Sequence, residues 1–215
     1  MTTLIFVRHG QSEANFQKVF AGHLNVPLTE LGKKQAENTA HYLKDYPIER
    51  IYASDLTRAW QTALPTAEQF GLDIISDSFL REIYAGDWEG LSYETLKLKY
   101  PVEYGQIWIN DTGHAHPNNG ESVVELSQRI YSEVDRLIAE NPSRCVAVFT
   151  HATPIRLLFA KWKGIEPENL SSVPFVPNAS VSVVDYAEDG SFEVRLCGYD
   201  GHQGDCATKF PKGVV

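Results

Sequence analysis

The chain is poor in cysteine. Its three cysteines are Cys145, Cys197 and Cys206. An odd, widely spaced set cannot build a disulfide framework and matches a reducing compartment. No run approaches the ~20 apolar residues that a membrane-spanning helix requires. The opening Met1-Thr2-Thr3 has no basic residue, and the apolar run behind it is too short for a secretory signal. Basic residues are scarce beside acidic ones, 19 against 28, for a formal charge of −9. Such a field repels nucleic acid. There is no Gly-x4-Gly-Lys loop, which argues against an NTPase, and no Gly-x-Ser-x-Gly elbow, which argues against a serine hydrolase. Internal repeats, low-complexity tracts and long linkers are missing as well. A cytoplasmic protein is expected, with neither nucleic acid nor a membrane as partner.

What is present suits one ordinary domain. The 215 residues are 43% hydrophobic and 22% charged, enough to bury a core without staples. A single domain over 1–215 is expected. Strand-like segments at 3–8, 50–54, 72–76, 145–150, 179–187 and 192–198 alternate with helix-like ones at 29–44, 57–70, 92–104, 121–140 and 153–163. In the helix at 121–140, Val123, Leu126, Ile130, Val134, Leu137 and Ile138 share one face. Thr29 and Asp55 stand where N-caps belong, and Pro65 predicts a kink or break. The alternation predicts an α/β fold of three layers, a mainly parallel sheet with helices on both faces. Glu188-Asp189-Gly190-Ser191 is a hairpin signal, so one antiparallel edge strand is expected. Residues 105–120 read as a long loop, and a lid or specificity segment is expected at about 84–120. The tail after Gly201 has little pattern and reads as poorly ordered.

The chemistry-bearing residues follow apolar strands. Leu4-Ile5-Phe6-Val7 delivers Arg8-His9-Gly10-Gln11 to a strand's carboxyl end, where open α/β sheets bind ligands. Arginine forks onto phosphate oxygens, Gly10 would let amides approach an anion, and imidazole can accept a phosphoryl group or carry a proton. Three further segments reach the same edge: Ala53-Ser54-Asp55-Leu56-Thr57-Arg58, Leu80-Arg81-Glu82-Ile83 and Val148-Phe149-Thr150-His151-Ala152. Arg81 reads equally well as a surface ion-pair partner.

Together these segments resemble the histidine phosphatase superfamily, the phosphoglycerate mutase-like fold. The resemblance runs through Arg8-His9-Gly10 with Ser12 and Asn15, and through Pro27-Leu28-Thr29-Glu30-Leu31-Gly32 with Gln35-Ala36. It continues in Ser54-Asp55-Leu56 with Arg58 and Gln61-Thr62-Ala63, in Gly86-Asp87-Trp88-Glu89-Gly90, in Gly120-Glu121-Ser122 and in Thr150-His151. It implies His9 as a nucleophile that becomes phosphohistidine, with its other ring nitrogen held by a backbone carbonyl. It implies Arg8, Arg58 and His151 around the phosphoryl group and Glu82 as the proton donor to the leaving oxygen. Asn15, Gln11, Gly10, His23 and Ala152 complete the implied phosphate- and substrate-binding set. Many relatives carry Gly where Ala152 stands, and a backbone amide survives that change.

The mutases of the family carry an arginine pair where this chain has Ile109 and Asn110. The resemblance therefore implies a phosphatase acting on a small phosphorylated metabolite. A cofactor-dependent mutase and a noncatalytic phospho-ligand module are the alternatives. No cofactor or metal is expected. His114-Ala115-His116 near Asp111, and Cys197 with His202 and Cys206, match no established zinc spacing. His23, Trp88, Tyr93, Trp108, His114 and His116 are candidates for the rim, or equally for the core. A homodimer is left open.

Overall fold

The computed structural model describes residues 1–106 and 113–208. Six strands form one sheet: β1 Thr2–Arg8, β2 Ile48–Ser54, β3 Ile74–Asp77, β4 Cys145–Thr150, β5 Val181–Tyr186 and β6 Phe192–Tyr199. Their order is β3-β2-β4-β1-β5-β6. Strands β1 to β4 pair in parallel; β5 pairs antiparallel with both β1 and β6. The hairpin signal at 188–191 thus marks the antiparallel edge of an otherwise parallel sheet, and β5 is the strand of reversed direction.

Among the described residues, seven α-helices accompany the sheet: α1 Glu13–Gln17, α2 Glu30–Leu43, α3 Thr57–Phe70, α4 Tyr93–Lys99, α5 Pro101–Tyr104, α6 Val123–Glu140 and α7 Ala152–Trp162. Strand side chains alternate between the two faces. Leu4, Phe6, Val146 and Val148 pack with Leu126, Ile130 and Val134 of α6 and with Leu157 and Leu158 of α7. Ile5, Val7, Ile51, Ala147 and Phe149 pack instead with Leu43 of α2 and with Ala63 and Ala67 of α3. These two cores define the three layers. Each large aliphatic side chain withdrawn from water contributes about 1.5–3 kcal/mol.

Local chemistry sets the helix ends. The Thr29 hydroxyl accepts from Gly32 N at 3.1 Å and caps α2. Ser122 and Glu125 form a reciprocal capping box at the start of α6. Asp55 does not cap α3. Leu56 holds the N-cap position without a side-chain bond, because the Arg81 guanidinium forks onto the Asp55 carboxylate instead. Helix α3 runs unbroken through Pro65. The expected helix at 92–104 divides at Tyr100, whose ψ of 55° lies outside the α region that Pro101 disfavours for its predecessor.

The described part of the tail, up to Thr208, is built into the fold. Gly201–Cys206 forms a short 3-10 segment against α2. Buried Gln203 donates to Gln35 O at 3.1 Å and to the Thr39 hydroxyl at 3.0 Å. No helix among the described residues is long and apolar enough to cross a membrane.

Candidate active site

The carboxyl ends of β1, β2 and β4 meet at one edge. Arg8 pairs in register with Thr150, and His9 N donates to Thr150 O at 2.9 Å. His9 and His151, the next residues of each chain segment, therefore emerge side by side. Their ring centroids lie 5.1 Å apart. The fold brings the five residues Arg8, His9, Arg58, Glu82 and His151 together.

Buried His9 places Nδ1 2.7 Å from Gly10 O. A carbonyl only accepts, so Nδ1 carries the proton and Nε2 keeps its lone pair. Burial, then the charges of Arg58 and Arg8, hold the imidazole well below its ordinary pKa of 6.5. The ring is neutral at physiological pH. His151 is 0% exposed and holds the N-cap position of α7 without a side-chain capping bond; its Nε2 meets the Ser54 hydroxyl at 2.9 Å, while Nδ1 is buried without a partner. Burial, then Arg58, pushes its pKa down in the same way.

Two guanidiniums flank these rings. Arg58, 1% exposed, leaves the first turn of α3 and donates to Leu24 O at 2.8 Å and to Gly22 O at 2.7 Å. Arg8 is buried and donates to Val176 O, while its Nε has no partner. Burial lowers each guanidinium to about 10, with the charge of Glu82 opposing that shift. Both thus remain cationic at neutral pH. Among the described residues, no carboxylate oxygen lies within ion-pair distance of either. Buried charge without a counterion is costly. The pair creates a site whose natural occupant is an anion.

Glu82 approaches from the segment after β3. Its carboxylate accepts from Ile83 N at 3.0 Å and from Thr153 N at 3.2 Å, which ties it to the first turn of α7. Its backbone carbonyl accepts from His23 Nε2 at 2.8 Å and from Arg129 at 3.1 Å. Beside Glu82 lies a cleft of about 430 Å³ lined by His23, Tyr84, Gly120, Glu121 and Glu125. The His23 and Tyr84 rings lie 5.0 Å apart, and burial lowers the pKa of His23.

The remaining anticipated residues divide. Asn15 sits in α1 with its Oδ1 engaged by Ser12 N at 3.1 Å, so its amide nitrogen is the end left for a ligand. Ala152 opens α7, where the backbone N–H groups have no intrahelical acceptor. Gly10 and Gln11 also serve the local fold. Gly10 N donates to the Thr62 hydroxyl at 3.0 Å rather than standing free for an anion. A Cβ at Gly10 would come 2.5 Å from Gly32 O, so glycine serves the close packing of this turn on α2. The Gln11 amide oxygen accepts from the Thr29 hydroxyl at 2.9 Å beside the α2 cap, which leaves its amide nitrogen, like that of Asn15, as the donor end.

The rim candidates divide too. Trp88 is core, packed with Phe20, Tyr100 and Tyr104. Tyr93 lies within electrostatic reach of Arg8 and Glu82. His114 faces Glu168 at 3.6 Å, and His116 bonds Pro117 O at 2.9 Å. Trp108, Ile109, Asn110 and Asp111 lie outside the described residues.

Four supporting side chains escaped the sequence reading. The Ser54 hydroxyl meets His151, and Thr62 bridges Gly10 N to Arg58 O at 2.7 Å. Arg129 forks onto Glu121 and donates to the carbonyls of Phe79, Arg81 and Glu82. Asn178 donates to His9 O. Ser54 and Thr62 stand in quoted motifs, but their partners are distant in sequence. Pro177-Asn178-Ala179, a turn-forming run before β5, was the signal available for Asn178.

Comparison with known proteins agrees with this geometry. The model of the histidine phosphatase superfamily, branch 1, matches residues 4–198. Phosphoserine phosphatase 1 of Hydrogenobacter thermophilus is 31% identical over 196 residues, 91% of this chain and 92% of that protein. The structure of YhfR from Bacillus stearothermophilus superimposes with a TM-score of 0.89 at 28% identity, covering 94% of this chain and 99% of that one. A mycobacterial glucosyl-3-phosphoglycerate phosphatase complexed with VO3 gives 0.83 at 29% identity, covering 92% of this chain and 99% of that one. The chain belongs to the histidine phosphatase superfamily, branch 1.

Proposed function

We propose that the protein hydrolyses small phosphomonoesters through a phosphohistidine on His9. The observation that carries this reading is the pair of buried guanidiniums, Arg8 and Arg58, with no carboxylate in ion-pair range among the described residues and a neutral imidazole within electrostatic reach of both. A phosphate dianion supplies the missing counter-charge. His9 Nε2 attacks phosphorus as the bond to the leaving oxygen breaks, and Glu82 gives that oxygen a proton. Water then attacks the phosphoryl group, Glu82 takes the water proton, and His9 is released with inorganic phosphate. Arg8, Arg58, His151 and the Asn15 amide stabilise the charge that spreads over the equatorial oxygens. No metal or cofactor enters this scheme.

The cleft beside Glu82 faces the leaving group. None of its lining residues is a lysine or arginine, and Arg129 is occupied by Glu121. Glu125 adds a carboxylate that accepts from Ser122 N and the Ser122 hydroxyl and lies within electrostatic reach of His116 and His114. The preferred leaving alcohol therefore bears no anionic group. Residues 84–120 act as the specificity segment of a single domain. The three cysteines are free thiols, which supports a cytoplasmic location.

Acid–base stability of the trapped phosphate tests the reading. Enzyme quenched during turnover of a labelled phosphomonoester should carry phosphate that survives base and is lost in acid. Vanadate, a mimic of the five-coordinate phosphoryl group, should inhibit. Turnover without labelled protein would overturn the covalent route.

A further inference from the structure

Asn178 lies in the turn before β5, 2% exposed. Its amide nitrogen donates to His9 O at 3.1 Å and to Asn15 Oδ1 at 3.1 Å. Its oxygen accepts from the Thr208 hydroxyl at 3.3 Å.

The polarity of this chain of amides is fixed by the main chain. Ser12 N is a donor, so the Asn15 atom it meets must be the oxygen. The atom of Asn178 that faces this oxygen and the His9 carbonyl must then be its nitrogen. With both donors on its oxygen, Asn15 has one orientation, and its NH2 end is the end free to face an anion. Phosphate oxygens only accept, so the opposite orientation would present lone pair to lone pair. Asn178 also shares the His9 carbonyl with Ala179 N at 3.2 Å, which pins the main chain beneath the His9 ring.

We infer that Asn178 is a positioning residue: together with Ser12 N it holds the donor end of Asn15, and it holds the backbone of His9, without touching substrate. The inference rests on the proposed phosphohistidine chemistry. It differs from a packing role, because what matters is the hydrogen on the amide nitrogen rather than the shape of the side chain.

Asn178→Asp preserves shape and removes that hydrogen. An ionised Asp there faces two acceptor oxygens. At neutral pH kcat/KM on p-nitrophenyl phosphate should fall by about 10- to 100-fold, and vanadate should inhibit less well. The deficit should shrink as pH falls, since a protonated carboxyl donates again. A purely structural defect would not recover in acid. Combined with Asn15→Ala, the loss should be markedly less than the product of the two single effects. Asn178→Ser introduces no buried charge, keeps a shorter donor and serves the same double-variant comparison if the Asp variant does not fold. Folded variants with parental kcat/KM, or losses that multiply fully with Asn15→Ala, overturn the inference. Absence of trapped phosphate on the parent enzyme instead overturns the phosphohistidine reading on which it rests.

Discussion

His9 and His151 stand edge toward face, 5.1 Å between ring centroids at 62°, in a pocket that also buries two arginines. Two imidazoles so close beside fixed positive charge stay neutral, and only one has a ring nitrogen fixed as a donor by a backbone carbonyl. The two histidines are thereby assigned different work. His9→Ala should abolish turnover of p-nitrophenyl phosphate and leave no trapped phosphate. A residual rate above a few per cent of the parent would exclude His9 as nucleophile.

The same pair predicts how stability depends on pH. Each imidazole is neutral in the folded protein but would take up a proton near 6.5 once unfolded. Below that pH the unfolded chain binds more protons, so stability falls as pH falls; above it, this contribution is constant. Thermal melts from pH 7 to 5 should show a steeper loss for the parent than for a His9→Gln, His151→Gln double variant. Parallel curves would contradict the buried, neutral state.

Arg129 predicts a coupled loss of stability and rate. Its guanidinium satisfies Glu121 and three carbonyls, one of them that of Glu82. Arg129→Leu leaves these groups partly unpaired, at a cost of about 2–4 kcal/mol. Calorimetry should show the melting temperature lowered by roughly 5–15 °C, at ~2–4 °C per kcal/mol. Below the melt, kcat should fall more than KM rises, because Glu82 loses its support.

Gly10→Ala tests the packing role assigned to that residue. The added methyl meets the Gly32 carbonyl at 2.5 Å, a backbone atom that cannot swing aside. Urea denaturation should register about 1–3 kcal/mol of destabilisation. Unchanged stability would return Gly10 to the role of anion donor.

Charge in the cleft predicts substrate choice. Glycerol 3-phosphate and 3-phosphoglycerate differ chiefly in one carboxylate. Repulsion of about 1 kcal/mol from Glu125 should favour the former by roughly fivefold in kcat/KM. Equal values would remove charge as a selector.

Much of this was legible in the sequence where the signal is local. The apolar run Cys145–Thr150 is a buried strand from end to end, and the heptad-like face from Val123 to Leu137 is buried in α6. Misreadings arose where a distant residue outbid a local rule. Asp55 is a good N-cap by type, yet Arg81, 26 positions away, takes its carboxylate. Gln203 orders a tail without pattern by bonding Gln35, 168 positions away. The site divides the same way. Arg8, His9 and His151 follow apolar strands and could be placed by inspection; Arg129 and Asn178 act through carbonyls that no spacing reveals.

Strand β5 carries the last consequence. A uniformly parallel sheet offers only the exits of its strands to a ligand edge. Because β5 pairs Val181 with Val7, its entrance opens beside the exit of β1. Pro177-Asn178-Ala179 is thus set down at the rim from the far end of the chain. One reversal of direction lets a segment late in the chain grip the carbonyl of the first histidine, which forward-running strands alone would leave unreached.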